Sequence, residues 1–550
     1  MAERLFGIET EYALTGIDGK AGMDRCDLLR SLLTVARAQL MHLPDFFSEG
    51  IYLENGSRLY VDCGLHPEIS TPECSTPWDA VRYVQAGDRI LTCLTQHLAA
   101  SVPDGTRIMA FRCNVDYGGT QATWGCHESY LHRADPKSVQ SQMIPHLVTR
   151  VIYTGAGGFN PLTAGLEFTL SPRAAHIQHV VSADSTGNRG IVHTKDESLC
   201  GGDGGFHRLH ILCGESLCSE TAAFLKIGAT ALVVAMAEAG LSPGSPVRLA
   251  TPLDALRTVA EDVRCHAALQ LADGRRLRAI DIQRHYLAQA EGHLGEAFMP
   301  AWAGAVCTRW RTMLDRLEEA PETVADTLDW AIKLRLYADR ACRRGISWTK
   351  FSFWNEVLGH LNTALQNAEH GGRRTSLDCL ISRKKRVAGD LEKLEPILRS
   401  HEVEWSDLEA FVKLKREFYE IDTRFGELGD RGVFSVLDRA GVLAHRVPGI
   451  DQIEDAMANP PAIGRARIRG KAIRRLAGQN GHWGCDWQRI ADPTQSQVLD
   501  LSDPFASEER WITPQTNQDE SGPLPFGITG GDQYSLLRLL ESIRRRSSPL

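Results

Sequence analysis

The chain has 550 residues, 43% of them hydrophobic and 24% charged, with 61 Lys and Arg set against 69 Asp and Glu. That length exceeds one ordinary core, so a large domain with a smaller companion is expected, and the composition excludes fibrous and disordered classes. The formal charge of −8 argues against general nucleic-acid binding, and no run approaches the roughly 18 apolar residues of a membrane span.

The opening MAERLFGIETEY lacks an apolar signal core, so a cytoplasmic protein is expected. Residues 5–14 (LFGIETEYAL) alternate as a strand, with Phe6, Ile8, Thr10 and Tyr12 on one face and Gly7, Glu9 and Glu11 on the other. Within residues 22–48 apolar side chains recur at helical spacing, ending before Pro44. The stretch 54–74 (ENGSRLYVDCGLHPEISTPEC) carries the most chemistry. Arg58, Tyr60 and Asp62 share one face of a strand, Leu59 and Val61 the other, and the chain breaks at Gly64 and turns through His66-Pro67. Glu68, Thr71 and Glu73 follow closely enough to join the same surface. If the two strands are neighbours, Glu9, Glu11, Tyr60 and Asp62 form one wall. Carboxylates so crowded repel one another and are rarely left without a cation; hard oxygen donors of this kind suit magnesium beside phosphate. Alternation alone equally fits a strand whose polar face looks at water.

Residues 77–100 read as a helix opened by Pro77, followed by a strand at 108–114, a glycine-rich turn at 117–120, and GCHESYLH, from which His127 and Glu128 are candidates to approach the site. The loop GAGGFNP (155–161) lacks the Lys-Ser/Thr of a P-loop and reads as a sharp turn. Segments 165–174 and 190–197 read as strands. In FHRLHILCG, Arg208 and His210 face away from Leu209, Ile211 and Cys213, and Arg208 suits a phosphate clamp. Helices are expected at 219–240, 252–271, 281–292, 326–343 and 403–423. Between them 371–386 is basic and reads as an exposed loop. Residues 424–515 read as a smaller domain, whose segment 464–477 carries six Arg and Lys and suits either solvent or an acidic partner. The tail from 516 is Gly- and Pro-rich, with a short helix expected at 536–546. The 14 cysteines are scattered without a CxxC pair, as buried reduced thiols are; Cys63 points away from Asp62 by alternation.

Taken together, GIETEY (7–12), NGSRLYVDCGLHPEISTPEC (55–74), GCHESY (125–130), TKDE (194–197), FHRLHILCGES (206–216) and DW (486–487) resemble the Pup ligase and Pup deamidase family. That resemblance implies an α+β fold: a glutamine-synthetase-like catalytic domain over 1–423, with a concave antiparallel sheet backed by helices, and a small C-terminal domain over 424–515. By match to the family pattern, Asp62 corresponds to the catalytic base, Glu9, Tyr60 and Glu68 to magnesium ligands, and Arg58, Thr71 and Trp487 to ATP contacts. The activity implied is ATP-dependent joining of the C-terminal glutamate of Pup, a small acidic protein, to target lysines through an acyl phosphate. A deamidase or depupylase, or an inactive paralogue that only binds a Pup-like protein, are the alternatives. Only residues 13–54 separate the first two motifs, which looks like the shorter ligase form. Ile69, Lys195 and Pro172 depart from the usual family residues and leave room for a Pup-like modifier.

Overall fold

The computed structural model describes residues 4–18, 21–102, 106–195, 198–201, 204–366, 388–479, 483–492, 494 and 496–513. Asp196 and Glu197 of the TKDE segment, the basic segment 371–386, and the tail with its expected helix at 536–546 lie outside the described residues.

Nine strands build the central sheet: β1 (Phe6–Glu11), β2 (His42–Pro44), β3 (Ile51–Leu53), β4 (Arg58–Val61), β5 (Pro67–Ser70), β6 (Cys126–His132), β7 (His179–Ser182), β8 (Gly190–His193) and β9 (His207–Ile211). Their order is β7-β8-β9-β6-β1-β5-β4-β3-β2, and every pairing is antiparallel except β7 with β8. The two strands read as neighbours are therefore separated by a third. Pro67 opens β5 instead of ending β4; at a strand's first position the missing N–H costs no ladder bond, and its carbonyl accepts from the Tyr12 N–H at 2.9 Å. The link between β4 and β5 turns at Leu65, whose φ is 61°.

Ile8, Leu59, Ile69, Leu209 and Ile211 point to the sheet's other face and are buried. They rest on helices among which are α1 (Arg25–Gln39), α2 (Pro77–Ala100), α3 (Pro136–Thr149) and α4 (Glu220–Glu238). Among the described residues α4 is the one helix long and apolar enough to cross a membrane, yet 94% of its apolar window is buried inside the fold. It is a core helix. Its Lys226 ammonium donates to the Glu215 carbonyl at 2.9 Å, while Glu128 and Arg150 pair at 2.5 Å beside it, so the buried charges are matched.

Some elements differ from their expected extents. α1 stops at Gln39 because Leu40 turns extended and His42–Pro44 pairs with β3. The segment 252–271 is helical only over Pro252–Glu261. The Asp262 carboxylate then accepts the N–H groups of Arg264 and Ala267, and the chain becomes a hairpin of Ala268–Gln270 with Arg276–Arg278. In 165–174 only Phe168–Thr169 is a strand, since Pro172 starts a 3₁₀ turn. The loop at 155–161 is a packing turn: Gly157 has φ +68°, and a Cβ there would lie 2.4 Å from the Trp330 Cα. Past α5 (Gly464–Leu476), the strands Gly484–Cys485, Arg489–Ala491, Val498–Asp500 and Arg510–Ile512 make a four-stranded sheet that meets the β2 edge through Asp45 and Cys485.

Candidate active site

The register of the sheet sets the site. Tyr60 pairs with Glu68 and Glu68 with Glu11, giving one polar row across β4, β5 and β1. One step along, Arg58, Ser70, Glu9 and His127 form a second row that reaches β6. A third row runs Gly7, Ser129, His210 into β9. Side chains two apart on a strand share a face, so all three rows look the same way. The Glu9 carboxylate lies 3.6 Å from His210 Nε2 and 3.8 Å from His127 Nδ1. Glu11 accepts the Gly125 N–H at 2.9 Å and lies 3.5 Å from His66 Nδ1. Asp62, at the end of β4, accepts the His66 backbone N–H at 2.6 Å and approaches its ring at 3.3 Å.

A pocket opens beside this wall, lined by Gly7, Glu9, Thr71, Arg208, Trp487 and Arg465 among others. The Gly7 position has open space where a side chain would stand, with only the Thr71 Oγ1 at 3.9 Å. Thr71 is buried and its hydroxyl accepts the Ile8 N–H at 3.1 Å. Trp487 stands edge-on to Tyr52 at 5.3 Å, with the Arg469 guanidinium 4.7 Å above its ring. Arg58 is already partnered: its guanidinium pairs with Asp45 at 2.5 Å and lies 4.1 Å over the Tyr60 ring.

Charge in the wall is unevenly shared. Burial pushes the Glu9 carboxyl up, but His127, His210 and the Arg208 charge outweigh it and hold Glu9 well below the usual range. Burial likewise opposes Glu11, yet His66, His127 and Arg173 bring it down. Glu68 goes the other way: burial, then the carboxylates of Glu9, Glu11 and Asp62, push it well up. Burial also raises the Tyr60 phenol well up, with Glu68 and Glu9 adding to it. Burial works against His66, yet Asp62 and Glu11 raise it, whereas burial takes His210 down to about 4 despite Glu9.

These donors fit a divalent cation. Glu9, His127 and His210 offer atoms within 4.8 Å of one another, as do Glu11, Asp62 and His66. Both ring nitrogens of His210 and the Nε2 of His66 are buried without a hydrogen bond. The crowding that pushes Glu68 up is of the kind that a bound cation would relieve. Of the residues matched to the family pattern, Glu9, Tyr60, Asp62 and Glu68 share the wall, while Thr71 and Trp487 line the adjoining pocket. His127 joins them, but Glu128 points into the core. What sequence reading missed is the His66 ring as a partner of Asp62 and Glu11; its only signal was a histidine four residues after the aspartate. In the basic helix Arg465 and Arg469 are buried and pair with Glu73, while Lys471, Arg474 and Arg475 stay exposed.

A sheet wall of carboxylates and imidazoles beside an aromatic-lined pocket defines an enzyme site suited to metal and phosphate. A family model described as Pup-ligase protein matches residues 4–357 and 352–491. The chain is 30% identical over 523 residues to the Pup–protein ligase of Rhodococcus erythropolis strain PR4, covering 93% of this chain and 98% of that protein. It is 31% identical over 519 residues to the Pup–protein ligase of Sanguibacter keddieii, covering 92% and 98%. Among solved structures it is similar to the ligase PafA in its complex with the prokaryotic ubiquitin-like protein Pup, with a TM-score of 0.69 at 25% identity over 92% of this chain and 90% of that one. It is also similar to PafA in complex with ADP, with a TM-score of 0.62 at 25% identity over 90% and 94%. The chain belongs to the Pup-ligase family.

Proposed function

We propose that this chain is a cytoplasmic, ATP- and magnesium-dependent ligase that joins the C-terminal glutamate of Pup, or of a Pup-like modifier, to lysines of target proteins. The observation that carries this reading is the register that sets Tyr60, Glu68 and Glu11 in one row and Arg58 and Glu9 in the next, beside the pocket of Thr71 and Trp487. Relatives that the chain matches over 98% of their length bear the ligase name.

In this reading Trp487 and Thr71 hold the nucleotide, and Arg58 faces its phosphates with a charge that Asp45 and the Tyr60 ring keep in place. Glu9, Tyr60 and Glu68 hold the magnesium, which neutralises phosphate charge when bound. The glutamate carboxylate attacks the γ-phosphorus, the bond to the bridging oxygen breaks, and ADP leaves an acyl phosphate behind. A lysine amine then attacks the acyl carbon and phosphate departs. Asp62 accepts the amine proton, and its hydrogen bond from the His66 N–H keeps the carboxylate in place to do so. Residues 424–515 form a small C-terminal domain that contributes Trp487.

The test is direct: supply ATP, Mg²⁺, a Glu-ending Pup and a lysine-bearing target. A conjugate formed with one ATP consumed per bond is expected. Ammonia released quickly from a Gln-ending Pup, with no conjugation of the Glu-ending form, would replace this reading with the deamidase.

A further inference from the structure

We propose that Glu356, His360 and His401 form a surface site for a divalent transition metal of the zinc class, clipping the helix Phe351–Gln366 to the end of the helix Ala388–Ser400. The site lies outside the carboxylate wall and is built from different elements.

Glu356 and His360 stand four residues apart on one helix, so they share a face. His401 follows directly on the second helix, and its N–H donates to the carbonyls of Ile397 and Leu398, both at 3.2 Å, which fixes the residue at that end. The three side chains offer ligand atoms within 4.8 Å of one another. His360 Nδ1 and His401 Nε2 are 2.9 Å apart. A tetrahedral zinc ion with bonds near 2.1 Å holds two imidazole nitrogens about 3.4 Å apart, so the pair need open by only about half an ångström.

The helices pack on a shared apolar cluster beneath the site. Val357, Leu358, Leu361, Leu394 and Leu398 are buried in one apolar cluster, and Trp354 stacks on Phe411 at 4.7 Å and 9°. Donors carried on packed helices are already arranged, so little ordering is required on binding. Two imidazoles and one carboxylate select zinc, cobalt, nickel or copper over magnesium. The wall offers a like set in Glu9, His127 and His210, so the paired comparison with a variant at His360 and His401 is what separates the two sites. With three protein ligands, a water completes the tetrahedron. Because His360 and His401 are 41 positions apart, the ion would close a long span of chain and add stability on binding.

A hydrogen bond between two neutral imidazoles is the competing account, and metal titration separates the two. Untagged full-length protein, freed of metal with a chelator, is titrated with Zn²⁺ by calorimetry and with Co²⁺ by visible absorption, alongside the H360N/H401N variant. The expected result is one more equivalent of Zn²⁺ bound by the wild type, lost in the variant or weakened at least about 10-fold. The difference spectrum should be that of tetrahedral cobalt, and the melting temperature should rise with Zn²⁺ in the wild type only. Excess Mg²⁺ should not compete for that equivalent. Equal stoichiometry and equal thermal shifts in the two proteins would overturn the proposal. Unchanged Mg²⁺-dependent ATP turnover in H360N/H401N verifies its fold; if that variant does not fold, Glu356→Gln is read in the same way.

Discussion

Asp62 shows how a base is separated from a scaffold. Its Oδ1 accepts the His66 N–H at 2.6 Å, a bond that the amide oxygen of Asn can also accept. Asp62→Asn should therefore keep the loop and the ATP Kd while conjugation falls about 10²–10⁴-fold, the usual scale of general-base help. Loss of ATP binding would make Asp62 a metal ligand instead. Repulsion in the wall shows most at Glu68, because histidine and arginine partners compensate Glu9 and Glu11. Glu9 is held ionised by His127, His210 and Arg208, so Glu9→Ala should abolish ATP turnover and bring no thermal gain. Relief belongs to Glu68, whose folded pKa lies well above the ordinary 4.5. Below that ordinary value both states hold the proton; above it the unfolded chain ionises first and stability falls with pH. In chelator, the melting temperature of Glu68→Gln should exceed that of the wild type by a margin that grows as pH rises from 4.5. A margin independent of pH would show that Glu68 ionises normally. Alternation placed Glu9, Glu11, Tyr60 and Asp62 correctly, because side-chain period is a local property. The pairing of Asp62 with the His66 ring was not legible, since it depends on how the turn at Leu65 closes.

Elements with a strong apolar period were the most legible. α2 and α4 fall within a residue or two of their expected extents, because a buried stripe at helical spacing leaves few alternatives. Short strands were read less well: β5 has four residues and starts with Pro, so only its partners define it. The turn at 155–158 makes a sharper test of element-level packing. Gly157 combines a left-handed φ with backbone contact to Trp330, and its carbonyl accepts from Lys333 Nζ at 3.0 Å. The atoms that an added Cβ would meet are the Cα, Cβ and carbonyl carbon of Trp330, none of them a flexible side-chain tip. Gly157→Ala should cost about 2–5 kcal/mol, the sum of the left-handed penalty and overpacking, read as a lower denaturant midpoint with an unchanged slope. A variant as stable as the wild type would mean the turn can relax.

At the scale of the molecule, the candidate nucleotide pocket is completed by chain from both ends of the sequence. Gly7 and Glu9 supply one side, and Arg465, Trp487 and Pro504 the other. The join is Glu73, which pairs with Arg465 at 2.6 Å and with Arg469 at 2.5 Å. Burial pushes the Glu73 carboxyl up, but Arg469 and then Arg465 outweigh it and bring it down from 4.5 to about 2. Since the folded value is depressed, the stabilisation is complete above pH 4.5 and is lost as pH falls towards about 2. The difference of about 2.5 pH units corresponds to about 3 kcal/mol. Glu73→Gln should remove that slope and, by leaving two buried guanidinium groups without their anion, cost about 3–5 kcal/mol at neutral pH. Because Arg469 also lies over Trp487, ATP affinity should fall in the variant even where circular dichroism shows the helices intact. Urea midpoints from pH 2 to 7, with ATP binding measured at pH 7, decide the matter. A variant that keeps both the acid slope and the wild-type ATP Kd would show that the two sides of the pocket are held together by something other than Glu73.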